Sequence, residues 1–374
     1  MPFADELIGA QTARALVSAV AAVAPQAPLS ALRRAAGDLA GRSLRERSDL
    51  LGEALRRDLP GDYATFTRTI RAARDGALPF HGWLVWPVTE AVAAAAVADG
   101  TLTAFDDAMA LLADLTSRLT AEFALRTLLH HDLDRALAII RGWTDSPDPD
   151  VRRLASEGTR PFLPWAKRVP GILTDPRATL PILDALYRDE SEYVRRSVAN
   201  HLNDLSRQQP DIVAETARSW LAAPDENTDR VVRHGLRTLV KQGHPGALAL
   251  LGFTASAPVE VVGPALAATE IPFGGSVGFT ATITNTGTGP VTLAVDYIVH
   301  HRKANGSQRG KTFKLTTMIL APGEQRRLVR EHSFRQITTR RYHPGAHAIE
   351  LQVNGVASGR TEFTLLPDVD AARE

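Results

Sequence analysis

The chain of 374 residues contains no cysteine. That excludes disulfides, thiolate nucleophiles, iron–sulfur clusters and cysteine-ligated zinc, and it fits a reducing cytoplasm. Long apolar runs are missing as well. The longest, Ala91 to Ala98, falls well short of the roughly 20 residues that span a bilayer. The opening residues Met1-Pro2-Phe3-Ala4-Asp5-Glu6 carry acids where a secretory leader carries bases, so no such leader is expected. There is no Gly-rich phosphate loop, no zinc motif and no Gly-x-Ser-x-Gly elbow. The eleven histidines are scattered, and His130-His131 and His300-His301 have no partners at ligand spacing. The expectation is a cytoplasmic monomer that needs no metal, no cofactor and no membrane.

What is present is globular: 44% hydrophobic and 23% charged residues, on a chain long enough for two or more domains. A net charge of +1 conceals a strong polarity. Between Asp296 and His343 stand eleven Lys and Arg against three acids, so that stretch carries +8. The remainder, with 32 bases and 39 acids, carries −7. Such asymmetry favours a polyanionic partner, although a strand domain that is merely basic would show the same balance.

From residue 4 to about 250, apolar residues recur at three- and four-residue spacing, with Pro25, Gly41, Pro79 and Gly100 at the joins. The runs Val151-Arg152-Arg153, Val194-Arg195-Arg196 and Val232-Arg233-His234 each open a helix, and their valines lie 43 and then 38 residues apart. Acidic turns precede the first two, which suits a helix N-terminus. A period near 40 residues of paired helices predicts a HEAT-like solenoid, the alternative being an irregular bundle. Near Ala255 the period becomes two. Val277–Ile283, Val291–Val299, Thr312–Leu320 and His347–Val353 read as strands, and about seven strands over roughly 110 residues fit an immunoglobulin-like β-sandwich. The segment from His300 to Arg309 reads as a basic turn between strands. The predicted architecture is a helical repeat domain over residues 1–254 followed by a basic β-sandwich over 255–374.

Within the helical part, Ala155-Ser156-Glu157-Gly158-Thr159-Arg160-Pro161-Phe162-Leu163-Pro164-Trp165 places a carboxylate before a proline break and an indole beyond it. An anion and an electron-rich ring at one helix end are the groups that hold a cation. This stretch, with Leu119–Arg126, Val194–Ser206 and Lys311-Thr312-Phe313-Lys314, resembles the DNA alkylation repair glycosylases of the AlkC type, relatives of AlkD. The likeness covers nearly the whole chain.

That resemblance implies excision of cationic alkylated bases, such as N3-methyladenine and N3-methylcytosine, from double-stranded DNA by hydrolysis of the N-glycosidic bond. It also implies that the lesion is not flipped into a tight pocket, unlike the habit of most glycosylases. The leaving base is already charged, so a carboxylate is needed mainly against the positive sugar of an oxocarbenium-like transition state. Glu157 is the first candidate, the alternative being an i,i+4 pair with Arg153. Glu122 is the second, with a one-turn pair to Arg126 as its alternative. Asp204, on the helix of the next repeat, is the third, or else a polar residue closing that helix. Trp165 is the candidate for lesion contact through cation–π attraction, or else a core tryptophan. Arg152, Arg153, Arg160, Arg195 and Arg196 recur at repeat positions suited to DNA phosphates, where some would instead form inter-repeat salt bridges. Arg302, Lys303, Arg309 and Lys311 are the DNA-contacting candidates of the β-domain. No lysine near Glu157 except Lys167 could form a Schiff base, so a monofunctional enzyme is expected. Two other readings remain: a non-catalytic binder of bent or branched DNA, and a protein–protein scaffold.

Overall fold

The computed structural model describes residues 4–59, 61–254, 256–337 and 340–368; Met1, Pro2 and Phe3 lie outside the described residues. Helices fill the chain from Ala4 to Leu250 and strands from Val259 to Leu365. By packing, two compact units form: residues 2–207 with 223–235, and residues 208–222 with 236–374.

The first unit is built of HEAT-like helices whose ends the sequence specifies. Ser43 and Glu46 form a reciprocal capping box. Asp148 caps Pro149–Gly158 by accepting from the Asp150 amide at 2.8 Å, with Pro149 at the first helical position. The three repeated motifs lie on Pro149–Gly158, Glu192–Leu205 and Thr228–Gly235, and the middle helix packs against both others. Glycine sets the closeness of this stack at two of the three helix ends. A Cβ on Gly158 would meet Leu125 Cδ2 at 2.4 Å, and one on Gly235 would meet Leu202 Cδ2 at 2.8 Å. Ala4–Val23 is long and apolar enough to cross a membrane by length and composition, which counting uninterrupted apolar runs overlooks. It forms two helices, Ala4–Leu7 and Ala10–Val23, and Ala13, Leu16, Ala19 and Val20 of the second are buried.

The second unit is an immunoglobulin-like sandwich. Its strands are β1 (Val259–Leu266), β2 (Glu270–Ile271), β3 (Ser276–Asn285), β4 (Val291–Arg302), β5 (Gln308–Leu320), β6 (Gln325–Ser333), β7 (Gly345–Val353) and β8 (Val356–Leu365). A three-stranded sheet runs β1-β3-β6 and a five-stranded sheet β2-β8-β7-β4-β5. Alternate residues of β3, from Val277 through Phe279 and Ala281 to Ile283, turn inward as the period of two predicts. Pro210–Ala222, Arg237–Lys241 and Pro245–Leu250 cluster with this unit and not with the helices before them. Leu248 and Phe253 share a small core with Ala294. The Asn354 side chain ties the joint by accepting from the Ala294 amide and donating to the Thr254 carbonyl. One expectation needs correcting. The basic turn is shorter than predicted, because β4 continues through His300, His301 and Arg302 in register with β5 down to Gln308. Only residues 303–307 turn, and His301 is buried.

Candidate active site and nucleic-acid interface

In the helical unit the chain brings three acids and two arginines into one hydrogen-bonded line. Glu157 lies in the last turn of Pro149–Gly158 and is 6% exposed. Its Oε1 accepts from Arg160 Nη1 at 2.6 Å and lies 3.5 Å from Arg153 Nη2. Its Oε2 accepts from Ser197 Oγ at 2.7 Å. Arg153 reaches on to Glu122, with Nη1 to Oε2 at 2.6 Å, and Thr120 Oγ1 donates to the same oxygen at 2.9 Å. Arg160 reaches the other way, with Nε to Asp204 Oδ2 at 2.9 Å. The order is Glu122, Arg153, Glu157, Arg160, Asp204, all five sheltered from solvent. Within the line three acids alternate with two bases, and the buried Arg126 guanidinium behind it faces Glu122 and Asp204, in a place where Coulomb interactions are weakly screened. Burial pushes the Glu122 carboxyl up, against the pull of Arg153.

The line is braced from behind. Arg126 is buried, and its Nη1 donates to the carbonyls of Gly158 and Arg160 at 2.9 Å each, while Nε donates to Lys167 at 2.6 Å. It thus ties down the helix C-terminus carrying Glu157 and the segment carrying Trp165. Burial, with Arg168 nearby, pushes its guanidinium down to about 10. Ser197 is itself held by Ser156, Oγ to Oγ at 3.0 Å. Next to it His201 bridges the Ser156 carbonyl (2.9 Å) and Thr179 Oγ1 (3.1 Å).

Burial pushes the His201 imidazole down to about 3. The folded state therefore keeps it neutral while the unfolded chain takes up its proton below the ordinary value of about 6.5. Stability from this group is complete above pH 6.5 and is lost as pH falls toward 3, by at most about 1.4 kcal/mol per pH unit. Thermal unfolding of the helical unit is expected at progressively lower temperature from pH 6.5 to pH 4. A His201→Gln variant should show a flatter pH dependence over that range, measured by circular dichroism.

The structure places the remaining candidates as follows. Trp165 is 58% exposed with a φ of 61°, a left-handed conformation unusual for its type. It is not a core tryptophan. Its carbonyl accepts from Arg45 Nη2 at 3.0 Å, and the Arg45 guanidinium sits over the Trp86 and Phe123 rings at 5.5 and 5.7 Å. Arg152, Arg153 and Arg160 take up the ion-pair alternative. Arg152 is buried in a two-pronged pair with Asp189 at 2.6 and 3.1 Å. Arg153 and Arg160 belong to the carboxylate line. Arg195 donates to the carbonyls of Asp189 and Glu190. Arg196 is exposed and pairs with Glu192 at 3.2 Å. The sequence reading missed Arg230, which shares Glu192 at 2.7 Å and lines a 260 Å³ cleft with Arg195, Arg196 and His234. It also missed Ser197 and Arg126, whose partners lie 32 to 41 residues away.

In the β-sandwich unit Arg302, Lys303, Arg309 and Lys311 line one cleft of about 440 Å³, together with Arg340, Arg341 and His343. No acid lines it. Arg340 donates to His301 Nε2 at 2.6 Å, and burial, helped by Arg340, pushes that imidazole down to about 3. A cleft walled by cations over the neutral His301 suits a phosphate group.

Residues 112–234 match the family described as DNA alkylation repair enzyme, and residues 260–367 match one described as the C-terminal Ig-like domain of the uncharacterised protein YhaZ. A Bacillus subtilis (strain 168) protein, Uncharacterized protein YhaZ, is 34% identical over 262 residues, which is 70% of this chain and 72% of that one. The Pseudomonas fluorescens alkylpurine DNA glycosylase AlkC, solved bound to DNA containing an abasic-site analog, superimposes with a TM-score of 0.86 at 35% identity. That match covers 98% of this chain and 100% of that one. Motifs, fold and relatives agree across both units, and the chain belongs to the AlkC-type family of DNA alkylation repair glycosylases.

Proposed function

We propose that this protein is a monofunctional glycosylase that removes cationic alkylated bases, such as N3-methyladenine and N3-methylcytosine, from double-stranded DNA. The observation that carries the reading is the sheltered line of Glu122, Arg153, Glu157, Arg160 and Asp204, which holds three carboxylates in fixed positions. An alkylated base leaves C1′ with the bonding electron pair and becomes neutral. The sugar takes over the positive charge, a water oxygen bonds to C1′, and the water proton passes to a carboxylate or to solvent. Fixed anions stabilise the sugar cation at no cost in reorganisation. Glu157 and Glu122 fill that role, Asp204 holds Arg160 in line, and the exposed Trp165 ring lies against the lesion or its sugar. From the resemblance we carry over that the lesion is not flipped into a pocket.

The test is release of free N3-methyladenine or N3-methylcytosine from alkylated duplex. The product strand should carry an abasic site that is cleaved only by later alkali. If neither base is released, the enzymatic reading fails.

The β-sandwich cleft supplies phosphate contacts in this reading. Replacing Arg302 and Lys303 together by Ala should weaken duplex binding and make the slope of log K against log salt shallower by about 2, since each lost phosphate contact removes about 0.9. An unchanged slope, measured by fluorescence anisotropy between 50 and 200 mM salt, would remove the cleft from the interface.

A further inference from the structure

The helix Glu192–Leu205 carries Tyr193, Ser197, His201 and Asp204 at steps of four, four and three residues, one stripe on one face. Three of the four have an evident task. Ser197 donates to Glu157, His201 holds the Ser156 carbonyl, and Asp204 accepts from Arg160. Tyr193 starts the stripe and is 49% exposed, a large ring left partly in solvent beside a buried charge line. Its ring lies under the Arg153 guanidinium, 4.9 Å from ring centroid to Cζ.

Arg153 is the one cation that joins Glu122 to Glu157, at 2.6 and 3.5 Å. A flat guanidinium between two carboxylates can still pivot about its long stem. Stacking on a ring removes that freedom, because the face contact fixes the plane while the edge nitrogens keep their acceptors.

We infer that Tyr193 is a positioning residue for the glycosylase reaction: its ring fixes Arg153 so that Glu122 and Glu157 stay aligned. The inference rests on the reading of the carboxylate line as the catalytic centre. The ring is what matters, and its hydroxyl is dispensable. Nothing in this role requires Tyr193 to touch DNA.

The experiment compares wild type, Tyr193→Phe, Tyr193→Leu and Glu157→Gln in single-turnover release of N3-methyladenine at saturating enzyme. Affinity for undamaged duplex of the same sequence is measured in parallel. Tyr193→Leu should lower the rate constant about tenfold with affinity unchanged, and Tyr193→Phe should keep it within about twofold of wild type. The melting temperature of Tyr193→Leu is checked against that of Tyr193→Phe, so that loss of rate through unfolding is seen as such. If Tyr193→Leu releases base at the wild-type rate while Glu157→Gln does not, the positioning role falls and the catalytic reading stands. If Tyr193→Leu loses affinity for undamaged duplex with no change in rate, the ring is a DNA contact and the inference is overturned. If Glu157→Gln remains fully active, the catalytic reading itself falls and this inference with it.

Discussion

Glu157→Gln is expected to slow base release by about 10²–10³-fold, the loss typical of removing one fixed electrostatic group from a charged transition state. The substitution keeps shape and volume. The amide oxygen can keep the two arginines, and the amide nitrogen can donate to Ser197 Oγ, which then turns its own proton to Ser156 Oγ, so packing of the helix end should survive. What changes is charge: the line from Glu122 to Asp204 loses one of its three carboxylates. Duplex affinity should therefore hold or rise slightly while chemistry is lost. Single-turnover release of N3-methyladenine, with binding to undamaged DNA alongside, separates the two effects. A variant that cleaves at the wild-type rate would remove Glu157 from the reaction.

Arg126→Met is the substitution with the largest expected effect on stability. Three carbonyls, those of Gly158, Arg160 and Lys167, lose a charged donor at once. Hydrogen bonds from charged donors contribute about 1.5–3 kcal/mol each. Relief of the buried guanidinium offsets part of that sum, since burial already depresses its basicity. A net loss of about 3 kcal/mol should lower the unfolding temperature of the helical unit by about 6–12 °C. Base release should fall even where the variant is folded, because the same three bonds hold the turn after Glu157 and the segment before Pro170. A melting temperature within a degree or two of wild type would show that the carbonyls find other donors.

Much of this was legible in the residues, for physical reasons that differ from place to place. The repeat was readable because the first two motifs place Val-Arg-Arg in the first turn of a helix behind acids or an Asp-Pro cap; the third does not open its helix as expected, since Val232 lies in the second half of Thr228–Gly235. β3 and β4 were readable because burial on one face leaves strict alternation. β6 was not, since Gln325–Ser333 lies at a sheet edge and most of its residues face solvent. Glu157 was suggested by its place between a helix and a proline. The i,i+4 pair with Arg153 offered as its alternative also exists, at 3.5 Å, as one link in a longer line. Arg126 was misjudged: spacing paired it with Glu122, whereas its bonds go to carbonyls over 30 residues away. Local spacing names neighbours on one helix. It does not show which neighbour a side chain abandons when a second helix comes within reach.

A protein that handles nucleic acid must solve a problem of approach. Three bare carboxylates would repel the very polymer they are meant to act on. With Arg153 and Arg160 threaded between them, a passing phosphate meets nearly balanced charge, and the field of any one carboxylate is felt only by a cation brought to within a few ångströms. Discrimination between damaged and normal nucleotides can then begin with short-range fields, before any base is inspected by shape.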